Sequence, residues 1–165
     1  MKKQRGMGMI EILMAVLITA VGLIGITGMQ AVSLKNNLSA LNRSNAIFLT
    51  GTMMDRIRAN PTADFTTAID EGPQVALDSC AASSDICNKA AVADLSIAQW
   101  KCSLGGYQDD AICDGIFPVL PDAQGAITIS GSDYVISIQW TDRVAYADGV
   151  KTGGQPVSLS STLRR

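Results

Sequence analysis

The stretch RGMGMIEILMAVLITAVGLIGITGM, residues 5 to 29, decides the fold of this chain. A basic tail containing Lys2 and Lys3 precedes it, and Glu11 is the only charge between Met7 and Met29. As an α-helix, those 23 residues would extend about 35 Å, which exceeds the roughly 30 Å hydrocarbon core of a bilayer. The stretch therefore predicts a membrane-spanning helix with its basic end in the cytoplasm and the remainder of the chain translocated.

Composition excludes several classes of function. The 165 residues include no histidine, which removes Ser-His-Asp and Cys-His catalysis and histidine-ligated zinc. The formal net charge is −2, and the 13 basic residues are scattered, so a nucleic-acid-binding face is not expected. No set of acids, nucleophiles or metal ligands forms a catalytic pattern, so the sequence predicts a protein that is not an enzyme and holds no cofactor or metal.

Glu11 needs an explanation. A charge at the centre of a bilayer costs at least about 2.5–3.5 kcal/mol, and less near the interface. An ordinary signal peptide has a shorter apolar core that ends at a cleavage site, and a plain membrane anchor has no use for a carboxylate. An acid inside the membrane is therefore a hypothesis of function by default.

The residues from Arg5 to Glu11 resemble the leader of type IV pilins, in which a basic segment ending in Gly precedes an apolar residue and, four positions later, Glu. The resemblance implies cleavage after Gly6 by a prepilin peptidase and N-methylation of the new N-terminus, Met7. Gly8 departs from the Ser or Thr that is usual at the second mature position. Glu11 would pair with the amine of a neighbouring subunit during assembly, which offsets part of the cost of burying both charges.

The helix is expected to continue beyond the membrane segment. Apolar residues recur at steps of three and four, which indicates an amphipathic helix over residues 30–60. They are Leu34, Leu38, Leu41, Phe48 or Leu49, Met53 and Ile57. Asn60-Pro61 ends the helix. Gly22, Gly25 and Gly28 mark either close packing between helices or, as the resemblance to pilins implies, a part of the helix that melts in a filament.

Residues 61–165 are predicted to form a small periplasmic head. Residues 61–90 indicate an irregular connection, and residues 90–104 have helical spacing. AITIS, DYVISIQWTD and PVSLSSTL alternate apolar and polar residues and predict three strands, the first two forming a hairpin around Gly131-Ser132. Trp100 and Trp140 are expected in the core. The predicted fold class is α+β, a long N-terminal helix packed against a small antiparallel sheet with disulfides.

The four cysteines, all beyond the membrane segment, are expected to form disulfides in an oxidising compartment. Their spacing contains no CxxC, which argues against zinc. Pairing Cys80 with Cys87 and Cys102 with Cys113 requires the least backbone rearrangement, although the sequence leaves cross-pairing open. Three acids near Cys113 do not match a calcium-binding loop, so a solvated loop is expected there. They are Asp109, Asp110 and Asp114.

Sequence segments in the second half of the helix and in the head narrow the resemblance to one group of pilins. NRSNAIFLTGTMMDRIRANP, a cysteine-bearing loop, ADLSIAQW and YVISIQWTD resemble minor pilins of the PilV type. The resemblance implies a protein that primes or takes part in type IV pilus assembly, with roles in twitching motility and adhesion. The implied partners are other minor pilins, the major pilin, the prepilin peptidase, the inner-membrane assembly platform and a tip adhesin. The implied location is the inner membrane, with the N-terminus cytoplasmic and the head periplasmic, and later the fibre on the cell surface.

Three alternatives remain open. A pseudopilin of a type II secretion system would use the same N-terminal helix. A DNA-uptake minor pilin would need a basic stripe on the head, where Lys89, Lys101 and Arg143 are the only basic residues between positions 61 and 150. A membrane-anchored periplasmic enzyme would need an active-site set that the sequence does not show.

Overall fold

The computed structural model describes residues 8–77, 87–142 and 155–164. The chain divides into two compact units, Met1–Leu38 and Ser39–Arg165. Its elements in chain order are helix α1 (Met9–Ala59), helix α2 (Lys89–Leu104), a short 3₁₀ helix (Ala111–Cys113), and strands β1 (Gln124–Ser130), β2 (Asp133–Asp142) and β3 (Gln155–Arg164). A long N-terminal helix, a three-stranded antiparallel sheet and a disulfide make this an α+β, type IV pilin-like fold.

Helix α1 is continuous through the three glycines of the apolar segment and ends where the sequence predicts. Its last turn carries Arg56 and Arg58, whose positive charges interact favourably with the helix C-terminus. The backbone N–H of Asn60 donates to the carbonyl oxygens of Arg56 and Ile57, and Pro61 follows, so the helix cannot continue.

Helix α2 is bounded by two local signals. The side chain of Asn88 accepts a hydrogen bond from the backbone N–H of Ala91 at 2.9 Å, which satisfies a free donor at the helix start. Gly105 ends the helix with φ of 79°, a left-handed conformation that glycine adopts at little cost. A Cβ at this position would lie 2.6 Å from the carbonyl oxygen of Leu120, so the close approach also requires glycine.

The sheet has the order β1-β2-β3, and both neighbouring pairs are antiparallel. The hairpin turns at Gly131-Ser132, and Ser130 pairs with Asp133 across it. Thr67, in the irregular segment after α1, forms an isolated antiparallel bridge with Ile127 of β1. The expected hairpin, third strand and irregular connection are therefore present in the described residues.

The core of the second unit lies between the end of α1, helix α2 and one face of the sheet. Met53 is fully buried, and so are Phe65 and Ile136. Trp100 and Trp140 are each 3% exposed, which confirms their expected place in the core. Their indole N–H groups donate to no described residue, so both act as apolar packing groups.

The predicted buried face of α1 is only partly correct. Leu49, Met53 and Ile57 are buried as expected. Leu34, Leu38, Leu41 and Phe48, in contrast, are between 51% and 66% exposed. The buried positions of the helix begin at Ala46. Helical periodicity identifies an apolar face, but it cannot distinguish a face that packs within the chain from one that remains open to a partner.

Candidate functional site

The helix start places Glu11 in the first turn of α1. Its backbone N–H donates to the carbonyl oxygen of Gly8 at 3.0 Å, and the residue is exposed. A carboxylate at this position interacts favourably with the positive end of the helix dipole. Gly6 and Met7, the expected cleavage site and methylated residue, lie outside the described residues, so their roles remain predictions.

The apolar part of α1 is exposed along its whole length. In the described part of the chain, α1 is the one helix that is long and apolar enough to cross a membrane, and none of its most apolar window is buried in the protein. Exposed fractions reach 87% at Met9 and 77% at Met29. A helix that is apolar all round needs lipid or other helices around it, which favours membrane anchoring before any assembly.

The few polar groups of this segment are satisfied within the helix. The Thr19 hydroxyl donates to the carbonyl oxygens of Ala15 and Val16, at 3.0 and 2.9 Å. The Thr27 hydroxyl donates to the carbonyl oxygen of Ile24 at 2.8 Å. These bonds lower the cost of placing hydroxyls in hydrocarbon, where water cannot satisfy them.

The three glycines leave open grooves on the helix surface. A Cβ built on Gly22, Gly25 or Gly28 would meet no atom within 4 Å. Glycine at such positions lets a second helix approach the backbone closely in lipid. The segment is helical here, and the open surface is compatible with either of the roles considered for these residues.

In the head, Lys101 is a buried cation that no motif in the sequence identifies. It is fully buried, and its Nζ donates to the carbonyl oxygens of Ala68 and Glu71 at 2.5 and 2.6 Å. Its Nζ lies 3.3 Å from the Tyr107 hydroxyl, which itself donates to the carbonyl oxygen of Ile69. Burial lowers the pKa of Lys101 to about 8, and the charges of Glu71 and Asp70 oppose this shift. The cluster fastens the irregular segment after α1 to helix α2.

The acidic loop is closed by a disulfide between Cys102 and Cys113, the sequence-near pair that was expected. Asp110 accepts a hydrogen bond from the backbone N–H of Ile112 at 2.9 Å and so caps the 3₁₀ helix. Within the described ranges, no three acids, cysteines or histidines are grouped to hold a metal ion. Cys87 is disulfide-bonded, and Cys80, its expected partner, lies outside the described residues.

Two surface features of the head also lack a clear sequence signal. Phe117 is 90% exposed on the loop that follows the disulfide. A cavity of about 190 Å³ lies beside the end of α1 and has two arginines, Arg58 and Arg164, in its lining. The only sequence signal for the exposure of Phe117 is its place in DGIFPVLPD, between a glycine and two prolines. For Lys101, in QWKCSL, the only sequence signal was its place three residues after Ala98, a position that helical spacing puts on the same side of residues 90–104.

Comparison with known protein families matches the N-terminal segment to one family. Residues 1–27 match the family described as the prokaryotic N-terminal methylation motif. Searches of curated proteins and of solved structures found no match to the chain. The motif supports a type IV pilin-like protein, of a pilus or a pseudopilus, and indicates a structural protein rather than an enzyme family. Together with the exposed apolar helix it indicates membrane anchoring before assembly.

Proposed function

We propose that this protein is a minor pilin of the PilV type that primes or takes part in assembly of a type IV pilus. One observation carries the proposal. The match to the prepilin methylation motif, residues 1–27, includes the first part of a helix whose apolar side chains are exposed on every side. Such a helix is suited first to a bilayer and then to a bundle of like helices, because both environments cover its entire surface.

The proposed processing begins on the cytoplasmic face of the inner membrane. Hydrolysis of the Gly6–Met7 peptide bond releases the basic leader and leaves a positively charged amine on Met7, which is then N-methylated. The carboxylate of Glu11 on one subunit pairs with the amine of its neighbour. In a medium of low dielectric constant the pair offsets part of the cost of burying both charges, and it fixes the axial position of each helix.

The proposed partners follow from this route. The helix meets the prepilin peptidase, the inner-membrane assembly platform, and then the helices of the major pilin and other minor pilins. The head, in the periplasm and later on the cell surface, takes part in twitching motility and adhesion, together with a tip adhesin. The resemblance of the head to PilV-type proteins supports these roles.

The first experiment is intact mass and N-terminal sequencing of the full chain, expressed in membranes with and without a prepilin peptidase. We expect a chain that begins at N-methylated Met7 only when the peptidase is present. A chain that stays uncut, or that is cut beyond Met29, would contradict the pilin assignment.

A pseudopilin of a type II secretion system is the second candidate, because the same motif match supports both machines. Deletion of the protein's own coding sequence distinguishes the pilus from the secretion system. Loss of surface pili with normal secretion of periplasmic enzymes supports the pilus. Retained pili with periplasmic accumulation of secreted enzymes supports the secretion system.

A further inference from the structure

The two edges of the three-stranded sheet differ in how they are covered. At the β1 edge, Thr67 and Ile127 exchange two backbone hydrogen bonds, of 3.0 and 2.9 Å, and the backbone N–H of Gly125 donates to the Tyr107 hydroxyl. At the other edge, no described residue outside β2 forms a backbone hydrogen bond with β3. We name this side of the strand, from Ser158 to Arg164, the β3 edge.

The pairing of the strands determines which groups of β3 face outward. Ile127 directs its backbone groups to Thr67, away from β2, so its partner Ile136 directs its own groups to β3, where it lies opposite Ser161. Backbone groups alternate in direction along an antiparallel strand. The residues whose backbone N–H and C=O groups point outward, and whose side chains are exposed, are Ser158, Ser160, Thr162 and Arg164.

The β3 edge is long, regular and unprotected. All ten residues of β3 pair with β2 in one register, without a bulge. Open edges are usually protected by bulges, charged side chains, prolines or a covering segment. In β3 the proline and the charge lie near the two ends, at Pro156 and Arg164. The chain covers the β1 edge and leaves this one open, which favours the addition of a further strand here.

Space for the inward side chains of such a strand lies between the β3 edge and α1. The Ser161 hydroxyl donates to the sulfur of Met54 at 4.0 Å, so β3 runs beside this part of the helix. Met54, Val157 and Leu159 are only partly buried. Gly51 lies on the same side of α1 as Met54, and a Cβ built on it would meet no atom within 4 Å. An added strand can therefore bury alternate apolar side chains against these residues.

The C-terminal end of the β3 edge is positively charged. Arg164 is exposed and forms no ion pair with a described residue, although Asp133 lies opposite it in β2. Arg58 lines the same cavity as Arg164, and its pair with Asp55 is more than half exposed and contributes little. A guanidinium group can bind a further carboxylate with its remaining N–H groups. An acidic residue on the added strand therefore fits this end.

We propose that the β3 edge binds an extended segment of another protein, which adds a fourth strand to the sheet, antiparallel to β3. Alternate apolar side chains of the segment face α1, and an acidic residue lies beside Arg164. The row of outward N–H and C=O groups selects an extended polypeptide, because its backbone matches their spacing. The inference rests on the proposed function, in which a minor pilin has other proteins as neighbours rather than its own copies.

The probe for this edge is a peptide with the sequence of β2, DYVISIQWTD, because β2 already pairs with β3 through its opposite side. Its antiparallel register places Asp133 of the probe beside Arg164 and its apolar residues toward α1. The full chain is purified in detergent after co-expression with a prepilin peptidase, and fluorescence anisotropy measures binding of the labelled peptide. We expect saturable binding, and a probe that does not bind would overturn the proposal.

N-methylation of the probe tests whether its backbone pairs with the edge. Methyl groups on the nitrogens of positions 135, 137 and 139, which would face β3, should weaken binding at least about tenfold through lost hydrogen bonds. The matched control carries them at positions 134, 136 and 138, whose N–H groups would point away from β3, and should bind more tightly than the first methylated probe. Equal affinities of the two methylated probes would overturn strand addition.

Variants of the chain test the same edge from the other side. Ser160→Pro removes an outward N–H while keeping the bonds to β2, and should weaken binding of the probe at least about tenfold. Ser160→Thr keeps the N–H and should bind like the wild type. Arg164→Glu provides a second test if the proline variant does not fold. It should weaken binding at least about threefold, and a probe with Asp133→Lys should restore it. Unchanged binding in folded variants would overturn the proposal.

Two further measurements on the same samples distinguish the remaining outcomes. We expect the full chain alone to be a monomer in detergent, and a dimer that Ser160→Pro abolishes would assign the edge to a second copy and overturn the proposal. The N-terminal mass decides the proposed function separately. A mature Met7 terminus without binding of the probe refutes only the added strand, whereas an uncut chain that binds the probe refutes only the pilin assignment.

Discussion

The Nζ atom of Lys101 lies 3.3 Å from the hydroxyl oxygen of Tyr107 and 4.9 Å from the centre of its ring. The two side chains hold three successive parts of one irregular segment, because Lys101 donates to Ala68 and Glu71 and Tyr107 donates to Ile69. The backbone N–H of Gly125 donates to the same Tyr107 hydroxyl at 3.4 Å. A segment with no regular secondary structure is thereby fixed between α2 and β1.

Replacement of Lys101 by Met should lower the free energy of unfolding by about 1–3 kcal/mol, because two buried carbonyl oxygens lose a charged donor. Urea unfolding of the full chain in detergent, followed by tryptophan fluorescence, measures the change. Lys89→Met is the control, since Lys89 makes one exposed bond, to Thr62, and its loss should cost less than about 0.5 kcal/mol. Equal shifts in both variants would refute the role of Lys101.

Stability should rise with pH between about 8 and 10. Burial lowers the pKa of Lys101 from 10.5 to about 8 in the folded chain. In this range the unfolded chain keeps a proton that the folded chain has released, so unfolding takes up a proton and becomes less favourable as pH increases. Below pH 8 both states are protonated at Lys101, and its contribution is constant.

The measurement is the urea midpoint of the wild type and of Lys101→Met at several pH values from 7 to 10. The Lys101 contribution should add up to about 1.4 kcal/mol per pH unit to the wild type and be absent from the variant. Burial raises the pKa of Tyr107, so above pH 10 its ionisation in the unfolded chain should reverse the trend. Parallel pH profiles for the two proteins would contradict the assignment.

Loss of the Cys102–Cys113 disulfide should destabilise the head by about 3 kcal/mol, the value expected for a loop of this length. It should also release the loop that carries Phe117. The measurements are urea unfolding and the rate of cleavage before Asp114, in the same loop, by endoproteinase Asp-N in Cys102→Ser/Cys113→Ser. Ser103→Ala, in the same helix, is the control. A cleavage rate equal to that of the control would show that other contacts hold the loop.

Gly125→Ala should destabilise the head by about 1–3 kcal/mol through overpacking. A Cβ at Gly125 would lie 2.4 Å from the Trp100 ring and 2.6 Å from a methyl group of Leu104. Gly51→Ala is the matched control, because a Cβ there meets nothing within 4 Å and alanine favours the helix by about 1 kcal/mol. Thermal unfolding should therefore shift in opposite directions in the two variants, and shifts of the same sign would contradict this account.

Glu11→Ala should leave cleavage after Gly6 intact but reduce incorporation into fibres at least about tenfold, which corresponds to about 1.4 kcal/mol. The expected cause is the loss of the pair with the neighbouring amine, and quantitative blotting of sheared fibres measures it. Glu11→Gln removes the charge but keeps the size of the side chain, and it should behave like Glu11→Ala. Normal incorporation of either variant would remove the assembly role of Glu11.

Most of the regular structure was predictable from local patterns. The strands alternate with a period of two, the turn at Gly131-Ser132 separates the hairpin strands, and Asn88 and Gly105 bound α2. The leader motif is contiguous in sequence, and for that reason the residues alone are enough to predict the methylation family. These features depend on neighbours within a few residues.

Burial of individual side chains was harder to predict. The apolar spacing of α1 predicts that Leu41 and Leu49 are both buried, although Leu41 is 54% exposed and Leu49 is 5% exposed. The difference depends on which turns of the helix the head covers. Residue type alone would likewise place Lys101 in solvent, because a lone lysine is rarely buried without partners.

The sequence by itself determined the membrane-competent helix, the processing motif, the strands and the α+β class, because hydrophobic period, capping and turn chemistry act over short distances along the chain. Tertiary structure alone decided that carbonyls some 30 residues from Lys101 surround its ammonium group. It also decided that Phe117 remains exposed while Ile57, Tyr134 and Leu163 line a cavity. These features join residues that are distant in sequence, and no local pattern specifies which of them meet.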